Sequence, residues 1–137
     1  MSLSPIIVVH MTAAILALAT GPVALWARKS RTQRTKLHRA FGYAWVTMML
    51  ITAISAIFLT ARVGPTWFGF GLIHILVPVT LIGLFTAFWS LFKGNISGHR
   101  KAMQNVYVGG CVVAGAFALL PGRFLGHMLL TQWRSLV

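Results

Sequence analysis

Long apolar runs alternate with short basic stretches along this chain. Four runs stand out, at about 5–27, 40–61, 68–92 and 103–121, each bounded by charge or by Gly and Pro signals. Each is close to the roughly 20 residues that an α-helix needs to cross a bilayer core. The pattern predicts an all-α integral membrane protein, a four-helix transmembrane bundle forming a single domain over residues 1–137. Pro22 and Pro78 fall inside the first and third helices, where each removes a backbone donor and can kink the span. Gly109, Gly110, Ala114 and Gly115 give the last helix a small face for close packing. The first run has no positive charge ahead of it, so it reads as a retained helix and not as a cleavable signal. The tail 124–137, "FLGHMLLTQWRSLV", is too short to cross and is predicted to lie along the outer surface as an amphipathic segment.

Composition sharpens this picture. The chain is 58% hydrophobic, and its 12 Lys and Arg stand against no Asp or Glu at all. Without carboxylate side chains, paired-carboxylate hydrolysis, Asp-containing triads and acidic Mg or Ca sites are excluded. The charge does not call for nucleic acid, because the basic residues sit between apolar runs, where they meet anionic lipid head groups. Nine of the 12 fall in two connections: Arg28, Lys29, Arg31, Arg34, Lys36 and Arg39 in the first, Lys93, Arg100 and Lys101 in the third. The positive-inside rule makes loops 28–39 and 93–102 cytoplasmic and both termini outside, in what reads as a bacterial inner membrane. Trp26, Trp89, Tyr43, Trp45 and Trp67 are placed as interface markers. Cys111 has no partner for a disulfide and reads as a small packing residue.

The sequence also repeats. His38 to His99, Arg39 to Arg100 and Arg62 to Arg123 are each separated by 61 positions, Trp26 to Trp89 by 63 and His10 to His74 by 64. Each half, about 5–62 and 68–123, reads histidine, apolar helix, Trp, basic loop, His-Arg, apolar helix, Arg. Two hairpins of the same orientation would be related by an axis along the membrane normal. His10 and His74 then belong to an outer layer with Arg62 and Arg123, and His38 and His99 to an inner layer with Arg39 and Arg100. The 24 residues from His38 to Arg62 span about 36 Å as a helix, more than the roughly 30 Å hydrocarbon core, so His38 is expected at the interface.

A histidine in a membrane helix needs a partner. Haem iron is one: two imidazoles from different helices hold a low-spin b haem, and arginines at the same level pair with its propionates. The expectation is one or two b haems, with His10 and His74 as one ligand pair, His38 and His99 as the other, and Arg39, Arg100, Arg62 and Arg123 beside them. The protein would then be a transmembrane electron-transfer component, with a quinone or a redox protein as its partner. The structural alternative is that His10 and His74 hydrogen-bond neighbouring helices, while the His-Arg pairs anchor the interface or contact lipid phosphate. His127 has no counterpart in the first half; with His10 and His74 it could complete an outer three-histidine metal site for zinc or copper.

Over nearly its whole length the chain resembles the DUF2306 family of small predicted membrane proteins. The resemblance is carried by the His10 helix, "HRAFGYAWVTMMLITAISAIFL", "GLIHIL", "GHRKAM" and "LLPGRFL". The family name implies no activity. The layout of one histidine per helix, alternating between membrane faces, is similar to the four-helix core of cytochrome b561 proteins, which implies two b haems on the pairs named above. A different class of function remains open: an accessory subunit of a larger membrane redox or photosynthetic complex, binding lipid or pigment. A haem carrier holds colour when purified alone; a packing subunit is colourless and copurifies with larger partners.

Overall fold

The computed structural model describes residues 4–27, 35–59, 72–119 and 124–135. All regular structure among them is helical: α1 (Pro5–Trp26), α2 (Thr35–Ile57), α3 (Leu72–Phe92), α4 (Ile96–Val106), a π-helical segment (Tyr107–Val113), α5 (Ala114–Ala118) and α6 (Phe124–Arg134). Three helices are long and apolar enough to cross a membrane: Pro5–Trp26, Thr35–Ile57 and His74–Phe92, with mean hydropathies of 2.0, 1.7 and 2.1. The fourth predicted span is helical from Ile96 to Ala118, but its middle is the π segment and not a regular α-helix.

The helix starts differ from the apolar pattern in an informative way. α2 is described from Thr35 and α4 from Ile96, several residues before the predicted 40 and 103, so Lys36, His38, Arg39, His99, Arg100 and Lys101 stand on helix, within its first two described turns, and not in loops. Hydropathy marks where lipid begins; the backbone must already be internally bonded before it enters lipid, and the helix therefore starts in the interface. The α3–α4 turn shows how local chemistry sets that start. Gly94 takes a left-handed φ of 71°, its N–H reaching Leu91 O at 3.0 Å, and Asn95 caps α4 by accepting from Gly98 N at 2.8 Å. Pro5 opens α1 where its missing N–H costs nothing.

Packing is built from small side chains. α1 lies along α2 and α3 along α4, and the core between them consists of Ala17, Trp45, Met49, Leu84, Val106 and Cys111, with Ala53, Ala56 and Val77 as a second cluster. Large apolar side chains point outward on every long helix, among them Ile15, Ile54, Ile82, Phe85 and Phe92. In lipid that arrangement is no liability, because the bilayer solvates apolar surface and helices associate through close contact instead. Gly21 and Gly83 are the points of closest approach: a Cβ on Gly21 would run into the Tyr107 ring and stand 3.0 Å from Trp45 Nε1, and one on Gly83 would run into Val106. Trp45 itself is only 4% exposed, so it is a core residue and not the interface marker that its place near the boundary implied. Trp26 and Trp89 are exposed, as the interface assignment requires.

Candidate functional site

His38 and His99 make the same tie in the two hairpins. From the first turn of α2, His38 Nδ1 reaches Ala24 O of α1 at 2.8 Å; from the first turn of α4, His99 Nδ1 reaches Ala87 O of α3 at 2.9 Å. A carbonyl can only accept, so Nδ1 carries the hydrogen and, in the neutral ring, Nε2 carries the lone pair. Neither Nε2 makes a hydrogen bond among the described residues. Phe88 packs against the His99 ring in an edge-type arrangement, with centroids 6.4 Å apart and ring planes at 61°.

Both histidines line one cavity of about 500 Å³ at the basic end of the helices, and Arg39 and Arg100 line it with them. Its walls are otherwise small or apolar: Gly21, Ala24 and Leu25 from α1, Gly42, Tyr43, Trp45 and Val46 from α2, Phe88 and Leu91 from α3, Ile96 and Met103 from α4. Because the chain has no Asp or Glu, the two guanidinium groups have no carboxylate side chain to pair with. The N-termini of α2 and α4 add partial positive charge at the same end. The site therefore favours a molecule with an apolar body and an anionic edge, of a size typical for ligand pockets. An imidazole held by an Nδ1–H···O=C bond has its tautomer and ring orientation fixed, with Nε2 left as the acceptor.

His10 and His74 are arranged otherwise. His10 Nδ1 lies 3.1 Å from Thr52 O and 3.0 Å from Ser55 Oγ, and Ser55 Oγ passes its own hydrogen to Ile51 O at 2.6 Å. His74 Nε2 donates to Leu59 O at 2.9 Å. His10 thus docks near the C-terminal end of α2 and His74 on the chain just beyond that end, and the two use opposite ring nitrogens for it. The repeat breaks here for a visible reason: 61 positions after Ser55 stands Ala116, which has no hydroxyl to offer. Arg62 and Arg123 lie outside the described residues, and so does Trp67. His127 is exposed on α6, and no cluster of three metal-binding His or Cys side chains forms among the described residues. Replacing Ser55 with Ala should lower stability by about 1 kcal/mol, the usual worth of one such bond, because Thr52 O still accepts from His10. A thermal-unfolding series in detergent will show it as a small fall in midpoint, with ligand binding at the basic end unchanged.

One group at the cavity lies beyond what the histidine repeat points to. The indole Nε1 of Trp45 is buried and has no hydrogen-bond partner. Positions 38, 42 and 45 fall on one helical face, but a tryptophan so near the predicted membrane boundary fits an interface belt equally well.

These features define a helical membrane protein with an apolar, cationic, histidine-bearing cavity at one end. The chain belongs to the DUF2306 family, described as predicted membrane proteins, whose model matches residues 7–133. No curated protein and no solved structure matches it.

Proposed function

We propose that this protein is a membrane b-type haem carrier that transfers electrons, with its haem in the cavity at the basic end. In this reading the segment from Ile96 to Ala118 is the fourth span of a four-helix bundle of two repeated hairpins. His38 and His99 are the iron ligands, and Arg39 and Arg100 hold the propionates. The observation that carries the reading is the convergence of both His-Arg pairs on one cavity, each histidine with Nδ1 already engaged by a carbonyl. When bound, such a haem would supply a one-electron redox centre. The chain's own part is to orient two imidazoles, neutralise the carboxylates and keep water from the ring with Phe88, Leu91 and Met103.

The proposal is for one haem. His10 and His74 are read as polar ties that hold α1 to α2 and α3 to the chain just beyond α2, because His10 engages Thr52 O and Ser55 Oγ and His74 engages Leu59 O. By the positive-inside rule the haem site faces the cytoplasm. In a Cys111→Ala background, a cysteine placed at Asn95 should react with an impermeant maleimide only after the inner face is opened; labelling of intact cells would reverse the orientation.

The reading is tested by the optical spectrum of the purified full chain, oxidised and dithionite-reduced. Sharp reduced bands of a six-coordinate b haem support it. A colourless folded protein, made with haem supplied during expression, sinks it, and copurification of that colourless chain with a larger complex would make it an accessory subunit. Arg39→Gln and Arg100→Gln should each keep the six-coordinate spectrum and weaken haem retention about tenfold, the cost of one charge-assisted bond. Each should also lower the reduction potential, since a nearby cation favours the electron-richer iron.

A further inference from the structure

The α2 and α4 sides of the cavity wall are unlike where the repeat makes them equivalent. One helical turn beyond His38 stands Gly42; one turn beyond His99, and 61 positions after Gly42, stands Met103. Both line the cavity. One His-Arg pair is thus followed on its helix by no side chain, and the other by a long, flexible one.

Glycine inside a helix costs stability, because it has the most backbone freedom to lose on folding and no side chain to pack. Close approach of helices accounts for it at Gly21 and Gly83, where a Cβ would run into Tyr107 and Val106. That reason fails at Gly42: among the described residues nothing lies within 4 Å of where its Cβ would stand. Gly21 and Gly42 both line the cavity, so of these two glycines one is covered by the chain's own side chains and the other is bare. The bare one opens on the cavity. His38, Arg39, Tyr43, Trp45 and Val46 of α2 also form the wall, and at about 100° per residue position 42 falls inside the arc they cover. Gly109 and Gly115 are equally open but do not line the cavity.

We infer that Gly42 decides the shape of molecule the site accepts: the bound ring lies against the bare backbone of α2 at Gly42, while Met103 closes the α4 side. Glycine is the residue that lets backbone approach a ligand closely. This rests on the haem reading of the cavity and deepens it. The histidines and arginines supply bonds to the occupant, and Gly42 supplies the room for a flat, rigid one.

The test counts ring retained per chain. Full-length wild type, Gly42→Ala, Gly42→Val, Gly42→Met and Gly109→Met are purified in detergent without added haem. Each is loaded with haemin or with metal-free protoporphyrin IX, which reports fit without iron ligation, and freed of excess by gel filtration. For each ring that wild type holds, retention should fall stepwise with side-chain size, to about a tenth of wild type or less in Gly42→Met, the scale of effect that overpacking produces. The thermal midpoint of the unloaded chain should not fall, since alanine, valine and methionine are all better helix formers than glycine. Gly109→Met should retain as much as wild type. Haemin held with a six-coordinate spectrum by wild type and Gly42→Met alike keeps the haem reading and overturns the inference. Protoporphyrin IX held by wild type and lost from Gly42→Met, with haemin never six-coordinate, keeps the inference and overturns the haem reading. Neither ring held by wild type overturns both. Equal loss from Gly109→Met overturns the inference, because the loss then does not belong to the cavity wall. If Gly42→Met misfolds, the order of wild type, Gly42→Ala and Gly42→Val decides by the same rule.

Discussion

Exchange of His38 or His99 for alanine is expected to strip the chain of low-spin haem, lowering haem per chain more than tenfold. Bis-imidazole ligation fails as a whole when either partner is absent, because the iron falls to five-coordination and the anchoring bond is lost. The fold should survive. Each histidine also ties two helices through a carbonyl, at Ala24 and Ala87, but one such bond is worth about 1 kcal/mol against the packing of the whole hairpin. Glutamine at either position separates the roles, since its amide can still donate to the carbonyl and does not ligate the iron. His38→Gln and His99→Gln should therefore match the alanine variants in haem content and exceed them in thermal stability. His10→Ala should keep its haem. Loss of haem in His10→Ala, with His38→Ala coloured, would move the site to the opposite end of the helices.

The second large effect concerns how closely the helices approach. Gly83 faces Val106 across the α3–α4 contact, and Gly21 faces Trp45 and Tyr107 where α1 meets α2 and the π segment. A valine at Gly83 must displace Val106, whose β-branched side chain has little rotameric freedom. The cost of such overpacking is about 1–3 kcal/mol, and here it falls on the hairpin that carries His99. Gly83→Val should lower the thermal midpoint in detergent by several degrees and loosen haem binding with it. Gly42 and Gly109 have open space around a would-be Cβ, so alanine there should be close to neutral. Equal midpoints for Gly83→Val and Gly42→Ala would mean that α3 and α4 do not pack through Gly83.

Much of this was legible in the sequence, for specific reasons. Three of the spans announced themselves because lipid demands unbroken apolar runs, and the recurrence of His38-Arg39 as His99-Arg100 survived as a fixed spacing. The helix starts at Thr35 and Ile96 were not legible, because a first turn lying in the interface carries lysines and arginines and reads as loop. The π segment over Tyr107–Val113 left no mark in a run of small and apolar residues. Depth could be read from the repeat but rotation could not. A pairing of His10 with His74 requires equivalent residues to face one another, which spacing does not encode; the hydrogen bonds of the two rings go to Thr52 O and Ser55 Oγ on α2 and to Leu59 O just beyond it. The same limit applies to Trp45: its type and position fit an interface belt equally well, and only the approach of Gly21 places it in the core.

The most direct test of the account is the electron paramagnetic resonance spectrum of the oxidised wild-type chain, with iron and haem counted per protein. One haem per chain is expected, with the low-spin signature of two imidazole ligands, lost on substitution of either His38 or His99. A high-spin signal, a second low-spin haem removed by His10→Ala or His74→Ala, or no iron in a folded chain made with haem supplied would contradict it.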